Sequence, residues 1–149
     1  MLNKSTSTGW RWMRKRLATS PTLTLTIPGE PRGKGRPRFT RSGHVYTDTA
    51  TREYEDHVCS CTAHAMRYED GPFPLNCPVG LDLQFHMHQP KHPRFAVPAV
   101  RPDLDNLVKS CVDGMGLARL FVDDARIVDI SARKLYSPTP GVLVRVWER

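Results

Sequence analysis

Residues 102–124 read PDLDNLVKSCVDGMGLARLFVDD, and this stretch contains the best-defined helix of the chain. Apolar residues recur there at the spacing of one helix face, at Leu104, Leu107, Val108, Cys111, Val112 and Met115. The pattern predicts a helix that begins just after Asp103 and packs one face into a core. A loop over residues 116–124 is expected to follow it.

The same stretch carries five carboxylates in a chain whose formal net charge is +7, and they are Asp103, Asp105, Asp113, Asp123 and Asp124. Adjacent carboxylates repel one another and remain ionised together most easily when a cation holds them. Mg2+ prefers oxygen ligands, usually one or two carboxylates together with water and phosphate oxygens. An acidic pocket for Mg2+, or for Mn2+ in its place, within a basic protein predicts phosphodiester chemistry.

Each carboxylate also has a purely structural interpretation. Acidic residues at a helix start cap free N–H groups, and Asp-Asp pairs are common in turns. However, Asp103 and Asp105 lie at the mouth of the predicted helix, and the chain can return beside that mouth at Asp124. Lys109, one turn after Asp105, could contact a phosphate on the metal. It could equally form an i,i+4 ion pair with Asp105 or Asp113, worth about 0.3–0.5 kcal/mol. Spacing alone leaves both interpretations open.

The rest of the chain predicts one α+β domain. Four segments have the alternation or composition of strands: residues 22–27, 79–87, 126–135 and 142–147. A first helix is expected from a cap at Thr47 or Asp48 to about Arg67. The order β-α-β-α-β-β favours a single domain over residues 21–149, with one mixed sheet and two main helices. Loops rich in proline and glycine are expected at residues 28–43, 71–78, 88–100 and 137–141.

Length and composition limit the class of protein. At 149 residues, with 39% apolar and 25% charged residues, the chain can build a core without disulfides. No apolar run approaches the roughly 20 residues that span a bilayer, so no membrane partner is expected. The four cysteines have neither zinc spacing nor the pattern of a secreted framework, which favours a reducing cytoplasm.

Positive charge is concentrated at the start of the chain. Residues 1–41 carry ten of the 22 Lys and Arg residues and a single acidic residue, Glu30. Residues 1–20 are rich in Arg and Ser and contain no acidic residue, which fits a disordered basic extension or, superficially, an organelle transit peptide. The extension is favoured, because patterned sequence begins only at Thr22.

The segment Arg32-Gly-Lys-Gly-Arg-Pro-Arg38, extended by Arg41, is the candidate nucleic-acid contact. It is not a phosphate-cradling P-loop, because no Gly-Lys-Ser/Thr opens a helix. Basic residues held apart by Gly and Pro, with aromatic residues nearby, suit contact with a phosphate backbone, although a solvated loop has the same composition. The residues expected to be free to meet phosphates are Lys34, Arg36, Arg38 and Arg41.

Several of these motifs together resemble the RusA family of Holliday junction resolvases. The central ones are Asp103-Leu-Asp-Asn-Leu-Val-Lys109, Asp113-Gly-Met and Val122-Asp-Asp124-Ala-Arg-Ile-Val. The upstream ones, which resemble the Gram-positive and phage branch of the family, are Pro28-Gly-Glu-Pro, Lys34-Gly-Arg-Pro-Arg-Phe-Thr40 and His44-Val-Tyr46. The resemblance covers roughly residues 22–147.

The resemblance implies a homodimeric, Mg2+-dependent α+β endonuclease of a bacterial or phage-infected cell. Such an enzyme cuts branched DNA, the four-way junction, by paired symmetric nicks. In this family the two carboxylates of the Asp-Leu-Asp-Asn motif and the second Asp of the Asp-Asp pair form the metal site. These correspond to Asp103, Asp105 and Asp124, and the functional lysine of the family corresponds to Lys109.

The motif also includes Asn106, which we predict to contact DNA together with Arg101. The enterobacterial resolvase has an Arg directly before its first catalytic Asp, whereas this chain has Pro102 there and Arg101 one residue earlier. Two alternatives stay open. One is a branched-DNA-binding protein that does not cut, and the other is a nuclease that acts on forks, flaps or RNA.

Overall fold

The computed structural model describes residues 20–149. The predicted basic extension over residues 1–20 lies outside them, apart from Ser20. The described elements, in chain order, are β1 (Leu23–Pro28), β2 (Arg38–Phe39), β3 (Val45–Tyr46), α1 (Thr49–Met66), β4 (Val79–His88), α2 (Leu104–Leu117), a 3-10 turn (Asp124–Arg126), β5 (Ile127–Ser137) and β6 (Gly141–Glu148).

The main sheet has the strand order β1-β6-β4-β5 and is mixed. β6 runs antiparallel to both β1 and β4, whereas β4 and β5 are parallel. A parallel pair needs a crossover connection, and α2 lies in this one. The predicted single α+β domain with a mixed sheet and two main helices is therefore confirmed.

The core lies between one face of the sheet and the two helices. Alternate residues of β4, among them Leu81, Leu83 and Phe85, are fully buried, and the apolar face of α2 is buried with them. The helices approach so closely at Gly114 that a Cβ there would lie 2.6 Å from the Cβ of Val58 on α1. The glycine after Asp113 therefore sets how near α2 can lie to α1.

Helix α1 begins as its sequence predicts. The Asp48 carboxylate accepts a hydrogen bond of 2.8 Å from the N–H of Thr51, which satisfies a free donor of the first turn. Within residues 20–149, no helix is long and apolar enough to cross a membrane. The four cysteines are free thiols, and burial raises the pKa of Cys111 to about 12.

Two of the predicted loops contain more structure than expected. In the segment 28–43, residues Arg38 and Phe39 pair with Tyr46 and Val45, because a turn closed by the Gly43 N–H on the Thr40 oxygen at 3.0 Å brings them together. In the segment 71–78, Leu75 is fully buried and its N–H donates to the Leu120 oxygen at 2.8 Å. Both corrections arise from pairings that the local composition does not reveal.

Candidate active site

The carboxylate of Asp103 lies at the N-cap position of α2, but it forms no capping hydrogen bond. The two other aspartates that precede helical segments behave differently. Asp48 caps α1, and Asp123 accepts a hydrogen bond of 2.7 Å from the N–H of Ala125. The capping interpretation therefore holds for Asp123 and not for Asp103, whose oxygens are left for another partner.

Asp105 and Asp124 line one groove of about 690 Å³ together with Lys109. Helix α2 contributes Asp105 and Lys109 from successive turns, and the 3-10 turn that leads into β5 brings Asp124 back beside them. Apolar residues of α2 and β5, among them Val108 and Ile130, form the rest of the wall. In the described part of the chain, neither carboxylate has a hydrogen bond or an ion pair.

Asp103 faces a neighbouring depression of about 660 Å³, which the basic loop (residues 32–41) helps to form. The Lys34 N–H donates to the Asn106 oxygen at 3.0 Å, and the Gly35 N–H donates to Thr51 Oγ1 at 3.1 Å. These two bonds hold the loop between the first turns of α2 and α1. The predicted DNA contacts that line this depression are Lys34, Arg36, Arg101 and Asn106.

Arg38 and Arg41 lie elsewhere, on the β2–β3 hairpin and its turn. The side chains of Arg36, Arg38 and Arg41 form no hydrogen bond or ion pair with residues 20–149. Lys34 differs from the expectation of a free cation, because its ammonium is bonded to the Asp113 carboxylate. Contact of these four residues with DNA stays a prediction.

Two lysines share the carboxylate of Asp113. Lys109 Nζ donates to Asp113 Oδ1 at 2.8 Å, so the i,i+4 pair forms with Asp113 rather than with Asp105. Lys34 Nζ binds Asp113 Oδ2 and also lies 3.0 Å from Glu55 Oε1 on α1. Burial disfavours the charged form of Lys34, but its hydrogen bond to Asp113 and its ion pair with Glu55 outweigh this and raise the pKa of Lys34. Burial likewise opposes the charge of Asp113, but the two lysines lower the pKa of Asp113 below its usual value.

Sequence reasoning did not find Glu55. It follows Thr51 by four residues and precedes Val58 by three, so it lies on the face of α1 that enters the core, and it is only 9% exposed. An acidic residue at a core position of a helix requires a cationic partner, and this requirement could have marked Glu55 in the sequence as part of an ion pair. The sequence could not show that the partner is Lys34.

The acidic residues suit a hard divalent cation. Within residues 20–149, no three His, Cys, Asp or Glu side chains converge closely enough to hold a metal ion. Mg2+ commonly uses only one or two carboxylates and completes its shell with waters and phosphate oxygens. Asp105 and Asp124 supply unpaired oxygens to one groove, with Asp103 beside it, so the donor set fits such an ion.

Comparison with known protein families identifies the family of this chain. A family model described as Endodeoxyribonuclease RusA matches residues 28–147. The chain belongs to the RusA family. It is therefore an endodeoxyribonuclease, an enzyme that hydrolyses DNA phosphodiester bonds.

Curated relatives align over most of the chain. The uncharacterized protein YqaN of Bacillus subtilis strain 168 is 29% identical over an alignment of 140 positions that covers 85% of this chain and 96% of YqaN. The crossover junction endodeoxyribonuclease RusA of Escherichia coli strain K12 is 28% identical over 114 residues, 76% of this chain and 83% of that protein. The protein of the same name from Shigella sonnei strain Ss046 matches at the same identity and coverage.

Proposed function

We propose that this protein resolves Holliday junctions as a Mg2+-dependent, structure-specific endodeoxyribonuclease that makes paired symmetric nicks. The observation that carries the proposal is the groove in which the carboxylates of Asp105 and Asp124, unpaired within residues 20–149, lie beside Lys109. The family supports the reaction class, and relatives named crossover junction endodeoxyribonuclease support the four-way junction as substrate.

Asp105 and Asp124, which share one groove, and Asp103 in the adjoining depression would hold Mg2+, or Mn2+ in its place, and the three side chains would have to draw together around the ion. A divalent cation bound there supplies Lewis-acid polarisation of the phosphate and a lowered pKa for a bound water. The three carboxylates are exposed, so a phosphodiester can reach them without a change of fold.

Lys109 is the residue that would meet the negative charge that builds up on the scissile phosphate. Its side chain is 53% exposed, and it lies one turn beyond Asp105 on the same face of α2. A compact ammonium at this position stabilises developing charge more than ground-state charge, which lowers the barrier. In the free enzyme Asp113 holds this ammonium near the groove.

The basic residues around the groove would bind the phosphate backbone. Arg36, Arg101 and Asn106 border the depression that contains Asp103, and Arg38 and Arg41 extend the positive surface along the hairpin. Contacts with phosphates carry no sequence information, so we expect the affinity to depend on salt and on branch shape rather than on base sequence.

Two symmetric nicks require two active sites, and we propose that a homodimer supplies them. Among the described strands, β5 is paired only on its β4 side, and it exposes Val128, which does not line the groove of Asp105 and Asp124. An open edge with exposed apolar residues is typical of a surface that pairs with another chain. The endonuclease domain of each subunit would comprise residues 21–149, preceded by the basic extension over residues 1–20.

The proposal is tested by incubating the full chain with an end-labelled four-way junction in Mg2+ or in EDTA. We expect nicks at symmetric positions on two opposing strands in Mg2+ only, and binding without cleavage in EDTA. Light scattering should give the mass of a dimer. Binding without cleavage in either buffer would instead indicate a non-cutting junction binder, and faster cleavage of forks, flaps or RNA would change the substrate.

A further inference from the structure

The carboxylate of Asp113 has two cationic partners that are held very differently. Lys34 comes from the basic loop and is separated from Asp113 by 79 positions, and its side chain is only 29% exposed. It is held on two sides, because Glu55 lies 3.0 Å from the same ammonium. Among the described residues, Lys109 is held by Asp113 alone, and its side chain is 53% exposed. Of the two lysines, Lys109 is therefore the one that can leave.

The position of this cluster connects it to the proposed reaction. Asp113, Lys34 and Glu55 line a cavity of about 370 Å³ together with Asp124, and Lys109 lines the groove that contains Asp105 and Asp124. The remaining charged groups at this cavity are Arg119 and Asp123. Movement of the Lys109 ammonium away from Asp113 and into this groove thus takes it toward the proposed site of the phosphate.

Departure of Lys109 has an electrostatic cost that depends on Lys34. If Asp113 had Lys109 as its only partner, DNA would have to break a full ion pair and leave a half-buried carboxylate without a counter-charge. With Lys34 in place, Asp113 keeps a counter-charge after Lys109 leaves, although it shares that charge with Glu55. The two ammonium groups on one carboxylate also repel each other, which weakens the hold on the more mobile one.

We propose that Lys34 and Glu55 are positioning residues that release Lys109 for catalysis. Lys34 supplies the counter-charge that Asp113 keeps when Lys109 moves to the DNA phosphate. Glu55 holds the Lys34 ammonium in place beside Asp113. This inference rests on the proposed function, because it assumes that Lys109 acts on the phosphate. It assigns Lys34 to the control of Lys109 rather than to direct contact with the DNA backbone.

A double-mutant cycle tests the inference, since it isolates the coupling between two residues. Lys34→Met removes the charge and keeps the alkyl stem, and it is compared in the wild-type and the Asp113→Asn backgrounds. The readouts are the single-turnover cleavage rate of an end-labelled four-way junction in Mg2+ and the dissociation constant in EDTA. Lys34→Arg, which retains the charge, is the matched control.

We expect Lys34→Met to slow cleavage by about fivefold, the factor that corresponds to one strong exposed ion pair. The dissociation constant should stay unchanged, and Lys34→Arg should cut at nearly the wild-type rate. In the Asp113→Asn background, Lys34→Met should have no effect on the rate, because no carboxylate remains to retain Lys109. If Lys34→Met lowered the cleavage rate equally in both backgrounds, the inference would be overturned. It would also be overturned if Lys34→Met weakened junction binding by the same factor as it slowed cleavage, because that result indicates direct contact of Lys34 with DNA.

An effect of Lys34→Met on the stability of the fold must be separated from its effect on the release of Lys109, because the substitution leaves Glu55 buried without its cationic partner. The variant Lys34→Met/Glu55→Gln removes both charges and keeps the cycle usable if the single variant has a lower melting temperature. Lys109→Ala separates the two proposals. Wild-type cleavage by Lys109→Ala would refute the proposed role of Lys109 itself. An inactive Lys109→Ala, together with no coupling between Lys34 and Asp113, would refute only the inference about Lys34.

Discussion

Two parallel variants, Asp124→Asn and Asp123→Asn, make the same chemical change at adjacent positions with different surroundings. Asp123 caps the 3-10 turn through the N–H of Ala125 at 2.7 Å, whereas the Asp124 carboxylate has no hydrogen bond or ion pair within residues 20–149. An Asn oxygen can still accept the bond from Ala125, so the cap should survive in Asp123→Asn. At Asp124 the substitution removes a charge from the groove that contains Asp105 and Lys109.

The size of each effect follows from these contacts. Asp124→Asn breaks no interaction of the described fold, so its free energy of unfolding should change by less than about 0.5 kcal/mol. Its cleavage rate should fall by about 100- to 1000-fold, as expected when one electrostatic element of an active site is lost. Asp123→Asn should change the cleavage rate by no more than a few fold. Asp103→Asn and Asp105→Asn should behave like Asp124→Asn.

The assay combines single-turnover cleavage of a labelled four-way junction in Mg2+, junction binding in EDTA and thermal melting of each variant. The expected pattern is a stable Asp124→Asn protein that binds the junction and does not cut it, next to an Asp123→Asn protein that does both. Full activity of Asp124→Asn would remove this residue from the metal site. Loss of activity in Asp123→Asn at an unchanged melting temperature would exchange the roles of the two aspartates.

Four further variants test other parts of the structure. Lys109→Ala should lower the cleavage rate sharply while the free energy of unfolding changes by only about 0.5 kcal/mol, because the pair with Asp113 is exposed at Lys109; a collapse of the melting temperature with normal cutting would contradict this. Arg36→Ala/Arg38→Ala should reduce the slope of log affinity against log salt by about 0.9 per lost phosphate contact, and an unchanged slope would exclude both residues from the backbone footprint. Arg119 has a φ of 61°, so Arg119→Gly should relieve left-handed strain and stabilise the fold by about 0.5–1 kcal/mol, measured by urea unfolding. The lysines lower the pKa of Asp113 in the folded protein, so the ionised Asp113 stabilises the fold at pH values above its unfolded-state pKa. This contribution is lost as the pH falls through the folded-state pKa. Wild type should therefore lose its stability advantage over Asp113→Asn below about pH 4.

The sequence by itself determined the elements and the candidate residues. The apolar period of α2, the alternation of β1 and β4 and the cap at Asp48 are local patterns, and the described elements follow them to within a few residues. Local patterns are readable because a helix turn or a strand pleat involves only neighbours in the chain. The family motif likewise lies in contiguous stretches, and the match over residues 28–147 confirms the predicted family.

Only the tertiary structure decided which aspartate caps and which remains unpaired. Asp103 and Asp123 both precede a helical segment, and nothing in their spacing distinguishes the free carboxylate from the capping one. The same is true of Lys34, which composition marked as a free cation and which instead binds Asp113 across 79 positions of the chain. That bond exists because Gly114 lets α2 pack closely on α1 and because the basic loop is hydrogen-bonded to the first turns of both helices. A pairing of this kind depends on how separate elements pack in space, and a one-dimensional pattern of residue types carries no record of those distances.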